Sequence, residues 1–547
     1  MASDIKSHFI QNSINSFYEL IQSMNKPSFY FFIVILITVL AYGLFTNLGN
    51  TAFWEDEGET VQLGKTILKY GYPSAFDGRS LFIQEPGHYH TTNYARYGNP
   101  LLQFYWAALA LKLNHGIADT GALRAPFVIV AFIGIIFSAI VYRRLNFSRF
   151  TVFLYLFLIT TSVQFYLYFR QVRHYALQPL LVSGIIITYL FLHRPKAKLF
   201  FILFSVLMYL AHYPGFFSIY TGLTIHLIIS LILKQTHRLR PFVISGFFVA
   251  IFTLPIFIYF HHYEQVPGDS FINNLIAYFY DYNYHSYTKI LVFAATIILL
   301  KKYRKVKLFF SQLINRNFQL INRFWSAKNS SISLLTTLII IYTLILSTGR
   351  HNARYVSDMY PLVFLLVAYI WDQMINQLKL EKWRWFSLPV FIWLMFLSHP
   401  RLLSQIKGFY QELNSIYLGP IEGIVNTITN SPPGPIDAYQ SRRPDLLIAT
   451  GFEEHVLYAY LDSQFLNVRA EDETYKYGNR LPDWLIPRLG EEHPEYFQYF
   501  LDRGKYQKIV TDYCDLRYQQ TYLVRTHQFK TVTDCPDSPL TLYKLLD

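Results

Sequence analysis

Apolar residues in this chain gather in long runs rather than in the stripes of a soluble helix or strand. Runs at 27–45, 123–142, 150–169, 175–192, 199–212, 214–233, 241–260, 288–300, 332–348, 355–371 and 385–398 carry few charges. Most are long enough to cross a hydrocarbon core of about 30 Å as helices, although the fifth and eighth are short. One more run, Pro100–Asn114, has only 15 residues. Its Gln103, Tyr105 and Trp106 suit an interface, so it reads as a juxtamembrane helix near the surface. Residues 57–69 carry Val61, Ile67 and Leu68 with Gly64 on one face, and Gly71 and Pro73 follow as a stop, which predicts a short amphipathic surface helix. The pattern predicts a polytopic α-helical membrane protein with about 11 transmembrane helices plus juxtamembrane helices.

The polar positions between the runs orient them. Five loops, around Arg143–Arg149, Arg194–Lys198, Lys234–Arg240, Lys301–Lys328 and Lys379–Arg384, hold twenty basic residues and one acid, Glu381. All five fall on one side if the runs alternate from a cytoplasmic segment 1–26, as the positive-inside rule requires. Residues 46–122 then form a large external loop, and the tail from 401 is external too. Segment 1–26 has neither a basic start nor a small-residue cleavage site beside the first run, so that run reads as a retained helix.

Composition agrees with this: 52% of the 547 residues are hydrophobic and only 15% charged. A net charge of +13 would ordinarily raise nucleic-acid binding, but the excess sits in short loops between apolar runs and makes no phosphate-tracking groove. The tail changes character. After the turn formers SPPGP (431–435), β-like stretches such as DLLIATG and YQKIVTD alternate with helix-like PEYFQYFLDRG. Residues 401–430 therefore read as a linker and 431–547 as an external α/β domain. Both cysteines of the chain, Cys514 and Cys535, lie here, which suits one disulfide in an oxidising compartment; two buried thiols are the alternative.

Two adjacent acids, Asp56 and Glu57, follow shortly after the first run, Asp56 eleven residues beyond Phe45. Asp56 with Glu59 fits a capping box, in which Asp56 only accepts from helix amides. A carboxylate held that way also stays ionised and aimed, as a general base must be. Two basic clusters break the charge pattern at external ends of runs: Arg170-Gln-Val-Arg173-His174-Tyr175 and Arg350-His351-Asn352-Ala353-Arg354-Tyr355. Arg170 and Arg173, like His351 and Arg354, are three apart and would share a face if helical. Guanidinium forks suit phosphate oxygens, here at the outer headgroup level; binding of ordinary anionic lipids or pairing with Glu57, Glu59 or Asp358 is the plainer alternative.

Weaker constellations surround these. Glu85-Pro-Gly-His88-Tyr-His90 offers two imidazoles and a carboxylate; contacts to substrate hydroxyls are preferred over a metal site. His212-Tyr213 sits at another external turn. Tyr278–Tyr287 is tyrosine-rich, as interfacial belts are. No P-loop, dinucleotide fingerprint, GxSxG or haem motif occurs, so no cofactor is expected.

In their order along residues 28–400, WEDEGETVQLGKTILKYGYPS, NPLLQFYWAALALKLNHG, ALRAPFVIVAFIG, RQVRHYALQPLLV, AHYPG and ARYVSDMYPLVFLLVA resemble GT-C glycosyltransferases. The likeness is to family 39, the protein O-mannosyltransferase-like and aminoarabinose-transferase-like enzymes. It implies a GT-C transmembrane catalytic domain over 27–400 that works without a metal. The implied reaction moves a sugar, with inversion, from a polyprenyl-phosphate donor to a hydroxyl of an acceptor lipid, glycan or protein. Asp56 matches the family's base and Glu57 its acidic partner. The basic clusters, with His174, His351 and Tyr355, would meet the donor phosphate, and Glu85, His88, His90, Arg96, His212 and Tyr213 the substrate. Where aminoarabinose transferases carry Glu-Lys-Pro-Pro this chain reads Arg96-Tyr-Gly-Asn99-Pro100, and Tyr175 stands where many members have Asp. Donor and acceptor stay open. The expected setting is a bacterial inner membrane, among its lipids, with the site facing the periplasm or exterior. Competing readings are a lipid-linked glycan transporter or flippase, and an oligosaccharyltransferase- or ligase-like transfer of whole glycans.

Overall fold

The computed structural model describes residues 26–82, 94–96, 100–232, 238–260, 270–285, 287–301, 330–348, 353–414, 419–432, 436–451, 453–467, 480–488, 494–515 and 539–546. The first described helix, α1 (Lys26–Phe45), leads to α2 (Glu55–Tyr70) and α3 (Leu101–Leu113), which lie in the stretch before the second apolar run. The apolar runs become α4 (Thr120–Arg144), α5 (Arg149–Thr161), α6 (Val163–Phe169), α7 (Gln178–Leu190), α8 (Pro195–Ala211), α9 (Tyr213–Ile232) and α10 (Leu239–Phe260). Then follow α11 (Phe271–His285), α12 (Thr288–Lys301), α13 (Ser330–Leu346), α14 (Tyr360–Gln377), α15 (Ser387–Ser398), α16 (Leu402–Asn414) and α17 (Pro420–Thr429).

The chain is an integral membrane protein. Four described helical segments, Thr120–Arg144, Tyr213–Ile232, Leu239–Ile258 and Ser357–Gln377, are long and apolar enough to cross a bilayer. α4, at 25 residues, reaches about 37 Å. Side chains that would face lipid are apolar: Ile129, Ile133 and Ile140 on α4, and Phe247, Ile251, Phe252 and Ile258 on α10 are exposed. Each of the eleven predicted runs coincides with a helix or a helix pair, yet fewer qualify as crossings by length and composition. The run 150–169 bends by 73° at Ser162 between α5 and α6, and the run ending at Ser398 turns by 86° into α16, which gives up to six crossings among the described residues. The apolar helical stretches Phe29–Phe45, within α1, and Leu101–Leu113, His174–Leu190 and Ser331–Leu346 have at most 17 residues, about 26 Å, and fall short of the hydrocarbon core unless their ends are extended.

Segment 401–430, expected to be a linker, is instead largely helical. α16 buries Leu402, Phe409 and Leu413, and α17 buries Ile421, Ile424, Val425 and Ile428. Beyond it lies a five-stranded sheet in the order β2-β1-β3-β5-β4, from β1 (Leu447–Thr450), β2 (Gln464–Asn467), β3 (Trp484–Ile486), β4 (Tyr506–Cys514) and β5 (Pro539–Leu545). β1 runs parallel to β2 and β3, with Ile448 opposite Phe465 and Trp484; β5 pairs antiparallel with β3 and β4.

The alternation of side chains divides the sheet's two faces. Leu447, Ala449, Leu466 and Leu485 pack on Phe497 and Phe500 of α19 (Pro494–Leu501). Ile448, Phe465, Trp484 and Ile486 join α18 (Glu454–Leu461) in one apolar core that continues into the helical bundle. The contact with α2 is close: a Cβ on Gly58 would lie 2.6 Å from the backbone nitrogen of Val456 and 2.8 Å from its Cα. Only glycine fits there. Cys514 is buried at the end of β4; its expected partner Cys535 lies outside the described residues.

Candidate active site

α2 begins at Glu55 with extended Trp54 before it, so Asp56 lies inside the first turn, not at the cap. The carboxylate that reaches back to the helix start is that of Glu57, which accepts from the Trp54 amide at 3.3 Å. The cap position expected for Asp56 thus belongs to Trp54, and the back-reaching part expected of Glu59 belongs to Glu57. Successive helical residues point about 100° apart, and this separates the two acids. Glu57 is fully buried and takes both Nε and Nη2 of Arg124, at 2.9 and 2.6 Å, together with the amide of Val172 at 2.8 Å. Arg124 also donates to the carbonyls of Leu48, Thr51 and Ala52. Glu57 and Arg124 therefore tie the end of the first span, α4 and the 170–173 turn together.

Asp56 faces the other way, on the side of Glu59 and Thr60. Its Oδ2 lies 3.2 Å from Nη2 of Arg173 and pairs with Nη1 of Arg354. Arg173 also donates to the Asp56 carbonyl at 3.0 Å and to Thr60 Oγ1 at 3.4 Å. Glu59, buried, is 3.6 Å from Arg173 and 3.0 Å from Arg96. Asp56 is the most accessible of the three acids, with 15% of its side chain exposed against 0% for Glu57 and 3% for Glu59. Burial pushes its carboxyl up, but Arg354 and Arg173 outweigh that and hold it below its ordinary value of 3.8.

Beside this pair runs a polar chain. Gln103 of α3 accepts from the amide of His174 at 3.1 Å and meets its Nδ1 at 3.1 Å. The rings of His174 and His212 stack 4.9 Å apart. His212 Nδ1 lies 2.6 Å from Asp358 Oδ2, which also accepts from Tyr342. Gly215 makes room, because a Cβ there would sit 2.6 Å from His212 Nδ1 and 2.7 Å from Asp358 Oδ2. The Arg354 guanidinium lies over the ring of Tyr355 at 5.6 Å.

Around Asp56, buried polar atoms lack a hydrogen-bond partner among the described residues: Arg173 Nε, His174 Nε2, Tyr175 Oη, Gln103 Nε2, Asp358 Oδ1 and both ring nitrogens of His455. Native interiors leave few such groups, so these atoms are candidates for contact with a polar ligand.

The sequence-predicted residues divide accordingly. Asp56, Arg173, His174, His212, Arg354 and Tyr355 come together. Arg170 does not join them: Nη1 donates to the carbonyls of Gly43, Leu44 and Thr46 at 2.8–3.2 Å and Nη2 to Asn47 at 3.3 Å, closing the end of α1. It lines, with Trp54, Glu57, Arg124, Gln171 and Glu412, a separate cleft that opens to solvent. Arg96 is buried against Glu59, and Tyr213 packs its ring against Tyr209 at 4.9 Å. Glu85, His88, His90, Arg350 and His351 lie outside the described residues. Sequence reasoning missed Arg124, Gln103 and His455 as parts of the site, and named Glu59 and Asp358 only as alternative partners of the arginines, which Glu59 is for Arg173. Arg124 carried a usable signal, a basic residue at the external end of a run; His455 carried none.

No protein-family model matches the sequence, and no curated protein matches it. The fold does have counterparts. ArnT from Cupriavidus metallidurans in the apo state superposes with a TM-score of 0.53 at 11% identity, over 94% of this chain and 97% of that one. The same protein bound to undecaprenyl phosphate gives 0.53 over 93% and 97%. The archaeal oligosaccharyltransferase AglB from Archaeoglobus fulgidus, in complex with an inhibitory peptide and a dolichol-phosphate, gives 0.50 at 12% identity over 87% and 71%. The chain has the GT-C fold.

Proposed function

We propose that this chain is an inverting glycosyltransferase that moves a sugar from a polyprenyl-phosphate donor to an acceptor hydroxyl at the outer face of the membrane. The observation that supports it is the meeting of Asp56 with Arg173 and Arg354, three residues from well-separated stretches. Two structures of the same fold carry undecaprenyl phosphate or dolichol-phosphate, which favours a lipid phosphate as leaving group here.

The acceptor oxygen attacks the anomeric carbon from the face opposite the phosphate. As that C–O bond forms, the bond from the anomeric carbon to the phosphate oxygen breaks, and polyprenyl phosphate departs with the electron pair. Asp56, ionised, takes the hydroxyl proton; because its arginines keep it weakly basic, it takes the proton late, when bond formation has made the hydroxyl acidic. The positive charges of Arg173 and Arg354 counter the negative charge that develops on the departing phosphate.

Arg350 and His351 extend the same cluster in this reading, His174, His212 and Tyr355 border the phosphate, and Glu85, His88 and His90 supply hydroxyl contacts. Glu57 holds the backbone that aims Asp56 rather than touching substrate. A bacterial inner membrane with the site on the periplasmic side, membership of family 39 and a Cys514–Cys535 disulfide belong to the same proposal. The test is incubation of purified protein with a panel of radiolabelled polyprenyl-phosphate monosaccharides, scoring released polyprenyl phosphate. Consumption of one donor is expected; consumption of none removes the reading in favour of transport.

A further inference from the structure

His455 lies on α18, in the C-terminal part of the chain, and is carried to the external loop by the docking of Val456 on Gly58. Lys65 of α2 fixes the same helix, donating to the carbonyls of Tyr458 and Ala459 at 3.2 and 2.9 Å. Tyr460 accepts from the Phe53 amide at 2.9 Å, two residues before α2 begins. The imidazole is only 3% exposed and stacks on Phe82 with ring centroids 5.4 Å apart. Neither ring nitrogen has a hydrogen-bond partner among the described residues, and Glu454 Oε1, at 3.7 Å from Nε2, is beyond bonding distance. The charges of Arg96 and Asp56 both act on the ring, in opposite senses.

A histidine serving only the core would pair one nitrogen or give way to phenylalanine, since an unpaired buried donor and acceptor are costly. Burial and Arg96 push its titration down to about 3, so the ring is neutral at any working pH and offers one N–H and one lone pair. A neutral group backed by an aromatic ring is poorly suited to phosphate, which Arg173 and Arg354 already serve. It suits a hydroxyl.

Resting on the glycosyl-transfer reading, we propose that His455 is a sugar-binding residue, by which the C-terminal part of the chain recognises hydroxyls of the donor's monosaccharide beside Asp56. The C-terminal part then completes the site rather than shielding it.

The test compares wild type, His455→Phe and His455→Asn in detergent, measuring affinity for undecaprenyl phosphate alone and for a panel of undecaprenyl-phosphate monosaccharides, with thermal unfolding alongside. Wild type should prefer one glycosylated lipid over the bare lipid. His455→Phe, which keeps the stack on Phe82, should cut that preference about tenfold, as loss of one hydrogen bond does, while bare-lipid affinity and melting stay unchanged. His455→Asn should recover part of it. An undiminished preference in His455→Phe, or an equal loss for the bare lipid, overturns the assignment. A wild type that prefers no glycosylated lipid overturns the transfer reading itself, and this one with it.

Discussion

Asp56 and Arg173, 117 residues apart in the chain, meet with Oδ2 and Nη2 separated by 3.2 Å, whereas the next acid, Glu57, turns away to a bidentate pair with Arg124. Adjacent carboxylates thus hold opposite duties. Asp56→Asn preserves size, and the buried Arg173 keeps a second carboxylate, Glu59, at 3.6 Å; it should lower turnover by at least about 100-fold, the lower bound for a lost general base, with little change in melting temperature. Glu57→Gln should do the reverse. It strands the buried guanidinium of Arg124, a change that typically costs about 3–5 kcal/mol, so yield and melting temperature should fall while any folded fraction keeps turning over. Detergent-phase melting and donor hydrolysis on both variants separate the duties; equal behaviour would remove the distinction.

How far the sequence carried this arrangement depends on what each residue's neighbours left to choose. Asp56, Arg173 and Arg354 were legible because charges at the external ends of apolar runs have few other reasons to be there. Arg170 misled by the same signal. Its three-residue spacing from Arg173 implies a common face only on a helix, but Arg170 caps α6 and Arg173 has extended backbone at φ −141°, so the two diverge. The capping box is displaced by two residues, from Asp56 and Glu59 to Trp54 and Glu57. The apolar runs located the helices well. They could not reveal the bend at Ser162 or the turn into α16, which depend on packing rather than hydropathy. His455 was invisible, because a short helix in a polar tail gives no hint of where it docks.

The two arginines of the first basic cluster should therefore separate on mutation. Arg170→Gln removes donors from four backbone carbonyls at the end of α1 and should destabilise by at least about 2 kcal/mol, with kcat per folded molecule retained. Arg354→Gln, at a partly exposed position, should leave melting nearly unchanged and raise KM for the lipid donor about tenfold or more. A donor KM raised by Arg170→Gln and not by Arg354→Gln would return the phosphate site to Arg170.

Docking of α18 on α2 leaves no room for a methyl group at Gly58. Gly58→Ala puts a Cβ against the backbone of Val456 as well as its Cγ2, and the backbone cannot swing away, so α18 must move. Turnover should fall and the segment around 454–467 should become susceptible to limited proteolysis, while the bundle helices stay protected. A Gly58→Ala protein with native protease resistance and full turnover would mean that the two helices are not in contact in solution.

The pH response follows from the charges around Asp56. Its carboxyl sits below 3.8 because Arg354 and Arg173 favour the ionised form over the opposing effect of burial. A carboxyl depressed on folding contributes stability above its unfolded value and loses it as pH falls through its folded value, so this contribution is intact throughout the neutral range. The acid limb of kcat/KM that reports Asp56 should accordingly lie below 3.8. Arg354→Gln removes the stronger of the two cations, leaves burial in place, and must move that limb upward. A pH profile of donor consumption in both proteins reads this directly. A limb that stays put in Arg354→Gln, or moves down, would mean that the titrating base is a group other than Asp56.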